Sequence, residues 1–318
     1  MRLNNSGSAV KLPPGAEVLA INGRSAAEIL QLLAERMPAE GGNQTLVNRM
    51  CEFFFPYLYY TYLDDSREFI VSYLNPSEQE PRVAVLSGVG HSALAMPVNH
   101  RSPSELNHIS FTPDLAVLTI KSFNYYRDDE RRRFREFIEK AFADIRQRRV
   151  ASLILDLRDN GGGDPSCAES VFSHLIDRPA PYFSSDTPQY PDLTRPLAPA
   201  MNRFAGRLFV LINGGCFSST GHLCALLKYH QRGFFVGEET GGSYACTDAS
   251  QTTTLTRSKL RFRHSTTAFK AAVSGLPAGR GTTPDDLVAP TIDDEIQHRD
   301  AVMTRALERA GRPAANSS

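Results

Sequence analysis

A serine at the start of a predicted helix is the strongest candidate for chemistry in this sequence. Residues 211–222 read Leu-Ile-Asn-Gly-Gly-Cys-Phe-Ser-Ser-Thr-Gly-His, so a buried strand ends in glycines and Ser218 opens the helix that follows. The free amides and the dipole at a helix N-terminus favour negative charge, which suits a nucleophile. The same position suits a serine that only caps the helix. This segment by itself therefore leaves both interpretations open.

A second strand ends in a glycine turn that could present backbone amides. Residues 153–165 read Leu-Ile-Leu-Asp-Leu-Arg-Asp-Asn-Gly-Gly-Gly-Asp-Pro. Glycines tolerate positive φ and let another group approach the backbone, so the turn can offer N–H groups to an oxyanion. It lacks the lysine and the spacing of a phosphate-binding loop. A tight strand-to-helix turn is the simpler alternative, but two such ends in one sheet favour a nucleophile beside an oxyanion donor.

The surrounding pattern predicts an α/β core that positions both turns. Apolar strands alternate with amphipathic helices, and continuous apolar strands are typical of a sheet covered on both faces. We predict strands at Leu115–Ile120, Leu153–Leu155, Arg207–Ile212 and Gly233–Gly237, and helices from Asp128 or Asp129 to about Arg148, at Cys167–Ile176 and at Ser218–His230. The proline-rich segment Ala180–Met201 is predicted to be a surface loop.

The N-terminal third predicts a separate, smaller unit. We expect strands at Glu17–Ile21, Phe69–Leu74 and Val83–Leu86, and helices at Ser25–Arg36 and Gln44–Tyr62, with Ser25 and Glu28 forming a capping box. A loop-like composition over Gly88–Asn107 indicates a boundary. The expected division is an N-terminal region at 1–105, an α/β catalytic domain at 106–311 and a disordered tail at 312–318.

Composition argues against several classes of protein. The 35 Lys and Arg residues balance 35 Asp and Glu residues, which gives no general attraction to nucleic acid. The longest apolar run, Phe53–Leu63, is too short for an integral membrane segment. The five cysteines show neither disulfide nor metal spacing, and we expect no metal and no cofactor. No signal peptide is visible, so the chain as written is expected to be cytoplasmic, or periplasmic or secreted if its true start is missing.

The order of the motifs resembles the tail-specific, or C-terminal-processing, and tricorn-core serine peptidases. The segments that carry the resemblance are Glu17–Gly23, Asp156–Gly163, Asn213–His222, Gly237–Gly242 and Gly279–Asp285. Together with their flanks they cover residues 12–35 and 109–310. The resemblance implies a ClpP/crotonase-like α/β core preceded by a PDZ-like or remnant domain.

The resemblance also implies roles for particular residues. Ser218 matches the nucleophile, and the amides of Gly162 and Ser219 match the oxyanion hole. Asp156 and Arg158 match a structural pair that shapes the glycine turn. The implied reaction is acyl transfer from a polypeptide to Ser218, followed by hydrolysis, with the C-terminal segment of the polypeptide as one candidate substrate.

The general base is where this sequence departs from the family pattern. Tail-specific members place a lysine where this chain has Ser243, and tricorn-like members carry a histidine upstream of the PDZ-like domain, where this chain starts. The glutamate of tricorn-like members is also absent, because that stretch reads Leu-Pro-Ala at residues 276–278. His222, one helical turn after Ser218, is the nearest candidate base, and His91 is a weaker one.

Two functions from different classes therefore remain, beside a third in which a different kind of hydrolase uses the same serine. The first is a serine peptidase acting through Ser218 and a glycine-lined oxyanion hole. The alternative is a catalytically impaired member of the family that binds a peptide or an apolar ligand. The sequence does not indicate an oligomeric state.

Overall fold

The structure is a computed structural model that describes residues 11–76, 78–90, 92, 107–187 and 189–311. It is a mixed α/β fold, as predicted. The expected domain boundary at residue 105, the candidate base His91 and the expected disordered tail at 312–318 lie outside the described residues. Within those residues no helix is both long enough and apolar enough to cross a membrane.

Fourteen strands and seven α-helices are assigned in the described ranges. The strands are β1 Glu17–Ile21, β2 Arg24–Ser25, β3 Glu68–Leu74, β4 Arg82–Ser87, β5 His108–Phe111, β6 Leu115–Thr119, β7 Ser152–Asp156, β8 Arg207–Ile212, β9 Phe234–Gly237, β10 Ala245–Asp248, β11 Gln251–Thr254, β12 Arg261–His264, β13 Thr267–Lys270 and β14 Asp286–Leu287. The helices are α1 Ala26–Ala34, α2 Thr45–Tyr62, α3 Asp128–Gln147, α4 Pro165–Ser173, α5 Ser219–Tyr229, α6 Ile292–Ile296 and α7 Ala301–Arg309. A short 3-10 helix covers Pro191–Thr194.

A six-stranded sheet forms the centre of the larger unit. Its order is β14-β9-β8-β7-β6-β5, and all neighbours run parallel except β5, which is antiparallel to β6. All five residues of β7 are buried, as a strand covered on both faces requires. Helices α3, α4 and α5 pack on one face, and α7 packs on the other. The carboxyl ends of β7, β8 and β9 therefore meet at one edge of the sheet.

The N-terminal residues form a second sheet with its own core. The order is β2-β1-β3-β4, all antiparallel, and α1 and α2 complete an apolar cluster drawn from residues 12–84. Asn22 and Gly23 make the β1–β2 turn with φ of 48° and 77°, the left-handed conformation that this dipeptide favours. The Ser25 hydroxyl accepts the Glu28 amide at 3.2 Å, which is the first half of the predicted capping box.

The two units are joined by polar contacts at the start of α2. Arg49 makes a two-pronged ion pair with Asp159, at 2.7 and 2.8 Å, directly before the glycine turn of residues 161–163. Asn43 Nδ2 donates to the carbonyl oxygen of Thr240 at 2.8 Å. The N-terminal unit thus contacts two of the turns at the carboxyl edge of the central sheet.

Two sequence-based expectations about helices need correction. Arg127, not Asp128 or Asp129, occupies the N-cap of α3, where its amide donates to Glu130. Helix α4 starts at Pro165, not Cys167, because the Asp164 side chain accepts the Ser166 amide and proline suits the first helical position.

The prediction of a surface loop over Ala180–Met201 was wrong. Tyr182 and Phe183 are completely buried, and Leu193 is nearly so. The prolines break regular structure without keeping the segment at the surface, because its aromatic side chains gain more from burial than from water. The segment packs against α5, which carries the candidate site.

A buried ion network fixes the end of β7. Arg158 forms two bonds to Asp156 and two to Asp300, and Lys121 Nζ also reaches Asp156, at 3.1 Å. Burial by itself would raise the pKa of Asp156, but Arg158 and Lys121 outweigh that effect and hold the pKa below its usual value. Removing one partner would leave a buried charge incompletely paired, which is costly.

We predict that Arg158→Met lowers the free energy of unfolding by about 3 kcal/mol, because Asp156 and Asp300 each lose a two-pronged partner. Urea unfolding followed by circular dichroism measures the change. Arg127→Met is the matched control, since Arg127 is 70% exposed where it pairs with Asp129, and its midpoint should not move. Equal midpoints for the two variants would contradict the assignment of Arg158 as the residue that holds the end of β7.

Candidate active site

Two glycine turns, at residues 161–163 and 241–242, pack against the backbone of the Ser218 segment, which follows a glycine turn of its own at residues 214–215. A methyl group on Gly162 would lie 2.8 Å from Cβ of Ser218, and one on Gly242 would lie 2.8 Å from the Ser218 nitrogen. Backbone hydrogen bonds join the turns. The Phe217 amide donates to the carbonyl oxygen of Asn160, and the Gly242 amide donates to the carbonyl oxygen of Cys216. No side chain larger than hydrogen fits at Gly162 or Gly242 without displacing the Ser218 segment.

Ser218 stands at the N-cap of α5 in an unusual backbone conformation. Its φ is 53° and its ψ is −127°, a region that residues other than glycine rarely occupy. Such a conformation costs roughly 1–3 kcal/mol and persists only where the surrounding structure enforces it. The Ser218 side chain makes no capping hydrogen bond, so its hydroxyl is not used by the helix. The interpretation of Ser218 as a simple N-cap therefore does not account for this geometry.

The two predicted oxyanion donors, the amides of Ser219 and Gly162, belong to residues that lie next to Ser218. The Ser219 amide, at the first position of α5, has no acceptor among the described residues, while the Ser219 hydroxyl donates to the Gly163 carbonyl at 3.0 Å. A methyl group on Gly162 would also lie 3.0 Å from the Ser219 nitrogen, so the two predicted oxyanion residues are adjacent. The Gly162 amide, however, donates to the side chain of Asn160 at 3.0 Å.

His222 does not contact the Ser218 hydroxyl directly. Among the described residues, Ser218 Oγ contacts the side chain of Cys246, whose Sγ lies 4.0 Å away. The same sulfur lies 3.5 Å from His222 Nε2. His222 is 2% exposed, and burial lowers its pKa to about 4, so the imidazole is neutral at neutral pH.

The position where tail-specific peptidases carry lysine is held by a different contact. The Ser243 amide donates to Oε2 of Glu40 at 2.6 Å. Burial raises the pKa of Glu40, and the bonds to Ser243 oppose that rise. Glu40 thus brings a carboxyl group from the N-terminal unit to the turn that precedes β10.

Sequence reasoning missed three residues that the structure brings to the site. Cys246 was considered only as one of five cysteines without disulfide or metal spacing, and Glu40 was not considered. Tyr182 was assigned to a surface loop, although its hydroxyl donates to the Ser219 carbonyl at 3.0 Å. The one available signal was the position of Cys246, which follows the third glycine turn closely. In the described part of the chain no group of three or more His, Cys, Asp or Glu residues could hold a metal ion.

Comparison with known proteins gives the family. Residues 114–288, more than half of the chain, match the model of peptidase family S41. A chloroplastic C-terminal processing peptidase of Tetradesmus obliquus is 33% identical over 104 residues, which are 33% of this chain and only 22% of that protein.

Solved structures show the same fold. The crystal structure of mature CPAF matches with a TM-score of 0.63 at 14% identity, over 90% of this chain and 74% of that chain. A CPAF mutant matches with a TM-score of 0.64 at 13% identity, over 98% and 80% of the two chains. The fold, the ordered motifs and the match over residues 114–288 agree, and the chain belongs to peptidase family S41.

Proposed function

We propose that the protein is a serine peptidase that hydrolyses peptide bonds through an acyl-enzyme on Ser218. The observation that carries the proposal is the Ser218 backbone, held at a φ of 53° with a hydroxyl that does not cap its helix. A strained serine at a strand-to-helix turn is typical of a hydrolase nucleophile, because the strained turn exposes the hydroxyl beside a free amide, here that of Ser219.

The proposed oxyanion hole consists of the amides of Ser219 and Gly162. In acylation Ser218 Oγ attacks the substrate carbonyl, and the oxygen that becomes negative is stabilised by these donors and by the N-terminus of α5. The Ser219 amide is available, while the Gly162 amide would share its hydrogen bond between Asn160 and the oxyanion. Water then hydrolyses the ester, and Ser218 is regenerated.

We propose that Asp156 and Arg158 act on the site only through structure. Arg158 also donates its own backbone amide to Asp156 Oδ1 at 3.0 Å, which fixes the direction in which the chain enters the glycine turn. The glycine turn of residues 161–163 is thereby directed towards Ser218. This is consistent with the roles that the family resemblance assigns to the pair.

The proposed substrate is a polypeptide, with its C-terminal segment as the preferred part. The Tetradesmus relative, which is 33% identical over 104 residues, is a C-terminal processing peptidase, and this supports the proposal. We further propose that residues up to about 105 form a PDZ-like unit that holds the peptide. Its separate apolar cluster and its contacts to the turns near Thr240 and Asp159 support such a division.

A second candidate is a binding module without efficient catalysis. Two observations favour it. The pKa of His222 is low, and in the described residues the side-chain neighbour of Ser218 Oγ is Cys246 Sγ, at 4.0 Å, and not a base. A protein of this kind would bind an extended peptide and leave it intact. Mass spectrometry of a peptide library after long incubation separates the two functions.

We predict that a fluorophosphonate probe labels Ser218, because the probe reacts with a serine whose oxyanion donors are in place. Ser218→Ala should abolish labelling, whereas Ser258→Ala, in the exposed loop between β11 and β12, should not change it. Mass spectrometry locates the modified residue. Labelling that persists in Ser218→Ala, or that is absent from the native protein, would contradict the proposed nucleophile.

We predict that Gly162→Ala lowers the labelling rate by about 100-fold or more, because displacing the turn moves the Gly162 amide out of place and losing one oxyanion donor costs on this scale. The new methyl group would collide with Ser218 Cβ at 2.8 Å, and the φ of Gly162 is 93°. Gly275→Ala is the matched control, because Gly275 also has a positive φ, 74°, but has open space around it. If both variants are labelled at the native rate, the glycine turn has no part in the reaction.

A further inference from the structure

Three side chains from two elements form a row at the candidate nucleophile. Ser218 and His222 belong to the start of α5, and Cys246 belongs to β10, which lies beyond the third glycine turn. Cys246 Sγ lies 4.0 Å from Ser218 Oγ and 3.5 Å from His222 Nε2, so the one sulfur contacts both the hydroxyl and the imidazole. The 3.5 Å gap is a hydrogen-bond distance for sulfur, and the 4.0 Å gap is at the outer limit of that range.

Packing holds His222 in this row. The ring is completely enclosed and contacts Phe183 edge to face, with centroids 5.5 Å apart. Its backbone amide donates to the Ser218 carbonyl at 3.0 Å, which fixes the two residues relative to each other. Pairing of Cys246 with Phe269 across β10 and β13 fixes the third member.

The protonation states of the row suit proton transfer. Burial raises the pKa of Cys246 to about 12, and the Glu40 carboxylate and Asp248 add to that rise, so the thiol keeps its proton. His222 stays neutral, because burial lowers its pKa to about 4. The ionisable groups around the row are Glu40 from the loop before α2, Asp248 on β10 and Tyr182 from the segment after α4.

Resting on the proposed function, we propose that Cys246 is a further catalytic residue, whose thiol carries the proton from Ser218 to His222. As Ser218 Oγ bonds to the substrate carbonyl carbon, its proton passes to Cys246 Sγ, and the Cys246 proton passes to His222 Nε2. The products are the tetrahedral oxyanion, a neutral thiol and an imidazolium. The proton returns along the same path to the leaving amine when the C–N bond breaks, so each atom is restored.

The surroundings of His222 set the expected rate. Its Nδ1 atom is buried and has no hydrogen-bond partner among the described residues. Among the described residues, no carboxylate is therefore hydrogen-bonded to the imidazolium, which forms only while the oxyanion charge is present. We expect slow acylation, with the relay contributing near the lower end of the range of about 100- to 10,000-fold known for general base catalysis.

The test measures fluorophosphonate labelling rates in a double-mutant cycle on the full chain. Cys246→Ala and His222→Gln should each slow labelling by about 100-fold, and the double variant should be no slower than either, because both act in one path. Cys246→Ser should keep more activity than Cys246→Ala, since a hydroxyl can still pass a proton. Cys51→Ala, in the separate N-terminal core, is the control and should label at the native rate.

The pH profile supplies a readout that a structural role would not change. Because His222 is neutral above its pKa of about 4 and the thiol keeps its proton below about 12, labelling should be flat from about pH 6 to 9. It should fall as the pH drops towards 4, when His222 becomes protonated.

The other possible outcomes overturn either the relay alone or the proposed function as well. Additive effects in the cycle, equal rates for Cys246→Ala and Cys246→Ser, or a sigmoidal rise near pH 6.5 would overturn the relay while leaving Ser218 as the nucleophile. A native protein that is never labelled would overturn the proposed function and the relay together. If Cys246→Ala does not fold, the serine variant and the pH profile decide.

Discussion

The close approach of the glycine turns to Ser218 is the constraint on which the rest of the site depends. Gly162 and Gly242 leave room for the Ser218 backbone only because neither has a side chain, and the resulting enclosure holds φ at 53°. The strain of this conformation is offset by the many buried residues of the central sheet, on whose carboxyl edge the turns stand. The site is therefore a product of the sheet and not of a flexible loop.

The chemistry suggested by this arrangement differs from that of a serine with an adjacent charged base. The two side chains that form the row with Ser218 are neutral at rest, because burial keeps the Cys246 thiol protonated and the His222 imidazole unprotonated. In the proposed mechanism, charge appears only when substrate reacts, and the amides of Ser219 and Gly162 receive it.

Much of the central fold could be predicted from the sequence. Apolar runs such as Leu153–Leu155 that alternate with amphipathic helices favour strands buried on both faces, and the glycines after them mark where the strands end. The positions of β6 to β9 and the place of Ser218 at a helix start therefore followed from the sequence, with strand bounds that differ by about one residue. The position of Cys246 could not be predicted, because it depends on pairing with Phe269 in β13, a contact without a local signal. Tyr182 and Phe183 were misassigned because proline content dominated the interpretation of their segment. The Ser218 dihedral angles could not be predicted from the sequence either, since a serine at an N-cap normally has an extended backbone.

The central claim is that Ser218 is held as a nucleophile beside the Ser219 and Gly162 amides. A crystal structure of the protein after reaction with a fluorophosphonate tests it most directly. We predict a covalent bond from Ser218 Oγ to phosphorus and a phosphonyl oxygen within about 3 Å of the Ser219 nitrogen, the range of a strong hydrogen bond. A phosphonyl oxygen that faces solvent, or an adduct on a residue other than Ser218, would contradict the account.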